Sequence, residues 1–70
     1  MNKTKYKPIK KEAITAGDIV RLYRSGWNHF ILRVDEHPTN SGKFTAHDVT
    51  GRKYYHIYLH CDVMKAWTKA

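Results

Sequence analysis

Seventy residues make one domain and leave no room for a second, and the single cysteine, Cys61, excludes an internal disulfide. Small secreted domains usually need such crosslinks, so the expected compartment is a reducing one, the cytoplasm. The net charge of +7 is uneven: Lys3, Lys5, Lys7, Lys10 and Lys11 supply +5 with no acid among them, while residues 12–70 set eight bases against six acids.

The first thirteen residues show no apolar period, and Pro8 blocks an early helix, so residues 1–13 are expected to form a flexible lysine-rich arm. They carry no apolar core of the kind a signal peptide needs. Nor does any apolar run reach the roughly 18 residues that would span a bilayer, so no membrane partner is expected.

From Ile14 the pattern changes, and residues 14–70 are expected to be the folded domain. Gly17-Asp18 signals a turn. Ile19 to Arg24 then alternates as a strand, with Val20 and Leu22 on one face and Arg21 and Tyr23 on the other. A short turn at Ser25-Gly26-Trp27-Asn28 leads to a second strand, His29 to Glu36, with Phe30, Leu32 and Val34 on the apolar face. Trp27 is expected either to stand as a solvent-exposed anchor or, the preferred placement, to fold over a barrel mouth. His37-Pro38-Thr39-Asn40-Ser41-Gly42 stacks turn formers and is the clearest loop.

Lys43 to Val49 makes a third strand with Phe44 and Ala46 inward. After a tight turn at Thr50-Gly51-Arg52, the fourth strand, Lys53 to His60, sets Tyr55, Ile57 and Leu59 against Tyr54, His56, Tyr58 and His60. Val63 to Trp67 is too short for a stable helix, so a single 3₁₀ turn and a brief closing strand are expected, with Val63 and Trp67 plugging an end. Short connections and no helical pattern call for an all-β fold, a small bent five-stranded antiparallel barrel that hides one face of its sheet.

The stretch Gly17-Asp18-Ile19-Val20-Arg21-Leu22, followed by a glycine turn and Phe30-Ile31-Leu32-Arg33-Val34, resembles the opening of SH3-like barrels of the KOW and Tudor type. Asp62-Val63-Met64-Lys65-Ala66-Trp67 is similar to the last turn and strand of such barrels. The resemblance covers roughly residues 14 to 68 and implies a scaffold used for RNA, DNA or protein contacts, among which fold alone does not choose. His56-Ile57-Tyr58 also resembles the pore strand of a plasmid-borne dihydrofolate reductase with this kind of barrel. Here His stands where that family has Gln, at the functional position, so the activity is not carried over.

No catalytic residues, cofactor or metal site are expected. His56 and His60 share a strand face but lie about 13 Å apart at the usual rise, too far for one zinc with ligands at about 2.1 Å. Adjacent His60 and Cys61 point to opposite faces if the strand persists, which separates a thiol from its nearest base. The carboxylates Asp18, Asp35, Glu36, Asp48 and Asp62 fall mostly at strand ends and turns, where capping and turn bonds account for them.

The polar face is the informative feature. Arg21, Tyr23, His29, Arg33, Lys43, Thr45, His47, Tyr54, His56, Tyr58 and His60 combine cations with flat rings and include no acid, as binders of nucleic acid do. Arg21, Arg24, Arg33, Lys43, Arg52 and Lys53 are the expected backbone contacts, Tyr23, Tyr54 and Tyr58 are expected to stack or pack on sugars, and His56 to add charge on the same face when protonated. The five tail lysines would add non-specific affinity, or equally serve as a solubilising terminus with no partner. A small basic module without catalytic groups suits a phage or mobile element. The alternative is a protein-interaction module that inhibits or adapts a host enzyme through the same Tyr/His/Arg face, since Tyr and Arg also dominate protein hot spots. Either a monomer or a dimer is compatible with the sequence, because an unpaired edge strand can pair with another.

Overall fold

The computed structural model describes residues 5–25 and 28–70. The expected turn at Gly26-Trp27, the placement of Trp27 and the tail residue Lys3 lie outside them. Within these residues the chain forms six strands: β1 (Tyr6–Ile9), β2 (Ile19–Ser25), β3 (Asn28–Val34), β4 (Lys43–Asp48), β5 (Tyr54–Tyr58) and β6 (Val63–Lys69). They make one antiparallel sheet in the order β1-β6-β2-β3-β4-β5, open between β1 and β5. No helix is long and apolar enough to cross a membrane.

The alternation expected for β2 to β5 places the core. Val20, Leu22, Leu32, Phe44, Ala46 and Ile57 are fully buried, with Val34 and Leu59 nearly so. Their inward pairing is direct: Val20 faces Leu32 across β2–β3, and Phe44 faces Ile57 across β4–β5. Ile14 and Ala66 complete the cluster. Each was missed in the alternation for a reason: Ile14 precedes the first strand, and Ala66 is too small to mark a period.

Phe30 was expected in this core but is 38% exposed. β3 pairs with β4 only over Leu32–Val34, so at Phe30 the strand has already left its neighbour, and the ring packs against Tyr55 at 5.4 Å. Val63, expected to plug an end, is 68% exposed.

The two ends of the chain differ most from expectation. Tyr6–Ile9 is a strand paired with β6, not part of a free arm. Lys11–Ala13 forms a 3₁₀ turn, and Ile14 behind it is buried. The count of strands is therefore six, where five were expected. The side chains of β1 are exposed or half-exposed, so no apolar period announces it; backbone pairing holds it.

Pro8 fits because Ala70 N–H donates to Lys5 O at 2.9 Å, which makes the odd-numbered residues of β1 the bonding ones. Pro8, which has no N–H, then faces the free edge, where prolines in sheets belong. At the other end, the 3₁₀ turn expected over 63–67 is absent. β6 runs straight through, paired with β2 on one side and β1 on the other. Its outward Val63 and Trp67 are as apolar as its inward Met64 and Ala66, which hides the alternation.

The open sheet still curls. β2 and β5 stand three strand spacings apart, about 14 Å if flat, yet Arg24 at the end of β2 donates to His56 O at 2.7 Å. The same guanidinium meets Asp62 Oδ2 at 3.3 Å, and that carboxylate accepts from Tyr58 N–H at 2.9 Å. Leu59 N–H bonds Gly42 O, so alternation turns the backbone groups of His56 and Tyr58 toward the free edge. Arg24 and Asp62 thus occupy bonding groups that an edge strand would otherwise offer to another chain.

Candidate functional site

The register carries the outward residues into rows across the strands. One row runs Pro8, Trp67, Ile19, Arg33, His47, Tyr54, each directly opposite the next. A second sets Lys65 beside Arg21 and Arg21 beside Ile31. On the far side, Thr45 faces His56 and Lys43 faces Tyr58.

On the β3–β4–β5 side the rings gather as the alternation implies. Tyr54 is 60% exposed and Tyr58 41%, and the Tyr54 ring lies 5.9 Å from His47 and 5.4 Å from His56. His60 does not extend this stripe. Both His60 and Cys61 lie in the turn after β5, so strand alternation does not govern them. The His60 ring sits against Gly42, whose φ of +81° and lack of a Cβ allow the approach.

This side also contains an acid, contrary to the acid-free face expected from the strands alone. Asp35, just past β3, accepts from Nδ1 of His47 at 2.6 Å. Arg33, Asp35, His47 and Asp48 share one groove.

The other carboxylates are largely consumed internally. Asp18 is buried and accepts from Thr15 and, at 2.7 Å, from the Thr68 hydroxyl. Asp48 accepts from the Thr50 hydroxyl and the Thr50 and Arg52 N–H groups, and these bonds, led by Thr50, hold its carboxyl below the usual value of 3.8. Asp62 is taken by Arg24 and Tyr58. Among the described residues, Arg24 is the only lysine or arginine in an ion pair with a carboxylate. Expected as a backbone contact, it also spans the seam between β2 and β5.

The remaining expected contacts spread over the surface. Lys5, Lys7 and Lys10 are exposed on and beside β1, with Lys11 half-buried in the 3₁₀ turn. Arg52 and Lys53 are exposed at the β4–β5 turn beside Tyr54. Tyr23 is half-buried and packs on His29 at 5.8 Å.

Sequence reasoning missed the β1–β6 side of the face. Trp67 does not plug an end: it lies on the outer face, half-buried, with the Arg21 guanidinium 5.5 Å from its ring centre. Tyr6, Ile19, Arg21, Ile31 and Trp67 line a shallow groove there. The signal was available in the alternation Val63, Lys65, Trp67, had β6 been read as a strand.

The chain is thus an all-β protein with one curled antiparallel sheet and an outer face of cations and rings. Comparison with protein-family models, with curated proteins and with solved structures finds no match.

Proposed function

We propose that this chain is a non-enzymatic nucleic-acid-binding protein on an SH3-like barrel scaffold, holding DNA or RNA mainly by its phosphates. A four-strand meander, β2 to β5, with the last strand returning beside β2 supports the scaffold reading. The observation that carries the function is electrostatic. Four of the six carboxylates, Asp18, Asp35, Asp48 and Asp62, are bound within the fold, while among the described lysines and arginines only Arg24 forms an ion pair with one of them. That leaves a cationic surface interleaved with Trp67, Tyr6, Tyr54 and Tyr58, the combination that phosphates and flat bases recognise.

A protein partner is the competing reading, favoured by the exposure of Tyr54 at 60%. Salt separates the two. Binding to random-sequence duplex, single-stranded DNA and RNA is measured over a salt series. Log K is expected to fall with log salt by about 0.9 per phosphate on duplex and about 0.7 on single strands, with several phosphates engaged. Binding absent at low salt, or a slope near zero, would remove the proposal and leave the protein-interaction reading.

A further inference from the structure

We propose that the groove formed by Trp67, Tyr6, Ile19 and Ile31, with Arg21 and Lys65 beside it, is a site for an unpaired nucleobase and its flanking phosphate. The ligand class is then single-stranded nucleic acid. The inference rests on the nucleic-acid reading above and narrows it.

Three observations converge on this groove. Strands β1, β2 and β6 carry no carboxylate, and Arg21 lies directly opposite Lys65 across β2–β6. Like charges directly opposite in a sheet repel, and no acid on these strands relieves the pair, so an anion placed between them is favoured. Second, Nε of Arg21 is shut off from solvent with no hydrogen-bond partner. A donor in that state leaves its bonding capacity unused within the fold. Third, the cations stand beside an apolar, aromatic surface: Arg21 lies over Trp67, and Tyr6 and Ile31 flank it.

An anion alone would satisfy Arg21 and Lys65 but leave the apolar groove wet. A nucleotide matches both parts, with its base against the ring and aliphatic surface and its phosphate at the cations. In a duplex the base faces are already stacked on each other, so only an unpaired base can use the groove. An acidic peptide would meet the charges without a ring to match the platform.

The test uses the full chain carrying Trp27→Phe, so that Trp67 is the sole tryptophan and its emission reports the groove. The probes are a twelve-nucleotide oligo(dT), a duplex of the same length and a poly-glutamate peptide of matched charge. The expected result is that oligo(dT) quenches Trp67 and binds roughly tenfold or more tightly than the duplex at the same salt. In the otherwise native chain, Trp67→Leu should lose roughly tenfold in single-strand affinity with an unchanged salt slope. Lys65→Gln, at an exposed position, should shrink that slope by about 0.7 and thereby tests the site even if Trp67→Leu unfolds.

Oligo(dT) binding that leaves Trp67 emission unchanged, or a duplex or peptide that binds as tightly, would overturn the inference and leave the broader nucleic-acid reading in place. Failure of every nucleic acid to bind at low salt would remove both.

Discussion

On the β3–β4–β5 half of the outer face, cations and rings sit beside acids: His47 bonds Asp35, and Arg33 shares their groove with Asp48. On the β1–β6–β2 half, Arg21, Lys65 and Lys69 stand with no carboxylate on any of the three strands. Residue types are similar on both, yet one half holds carboxylates beside its cations and the other has none on its strands. A list of outward residues cannot make that distinction. Asp35 joins the first half from beyond the end of its strand, and β6 joins the second from the far end of the chain.

The largest expected effect asks whether the halves are separable at all. Ile57 lies beneath the Tyr54–Tyr58 half, but its core cluster includes Val20, Leu22 and Ala66 from the other. Ile57→Ala should cost about 2–5 kcal/mol. In the Trp27→Phe background it should destabilise both halves in a single transition, seen as coincident urea curves by Trp67 fluorescence and far-UV circular dichroism. Non-coincident curves would mean that the halves fold independently.

Next in size is the asymmetry in binding. With the acid-free half as the main contact, Trp67→Leu should weaken single-strand binding by more than Tyr58→Ala does, each on the scale of about 1–3 kcal/mol for a lost stacking surface. Isothermal titration of both variants against one oligonucleotide measures the difference. A larger loss at Tyr58 would move the contact to the β3–β4–β5 half.

The seam between the halves comes third. Arg24→Met should lose about 1 kcal/mol, because its bonds to His56 O and Asp62 are partly exposed and screened. The readout is a shift in the urea midpoint at unchanged m-value. With the edge of β5 uncovered, concentration-dependent association in sedimentation runs should also increase.

The smallest effect belongs to the β4–β5 turn. The Asp48 carboxyl is held low when folded, so its contribution to stability is present above the unfolded value and fades as pH falls through the folded one. Thr50→Ala removes the leading cause and should move the acid-unfolding midpoint slightly upward in pH. An unchanged midpoint would show that the backbone bonds alone hold the turn.

Much of the inner architecture was legible in the residues themselves. Alternation with period two assigns Val20, Leu22, Leu32, Phe44 and Ile57 to one side of the sheet, and Arg21, Arg33, Thr45 and Tyr54 to the other, because successive side chains of a strand must point opposite ways. Turn chemistry at Asn40-Ser41-Gly42 and Thr50-Gly51-Arg52 separates those strands for equally local reasons. Lys5 to Lys10 carry no such local sign: β1 is a strand only because β6 offers it backbone partners. Trp67 faces outward over Ile19 because β6 runs between β1 and β2. Arg24 reaches His56 across the seam because the sheet curls until β2 meets β5. Local sterics and patterning determine which way each side chain points; which charges meet depends on which strands become neighbours, and only the folded chain decides that.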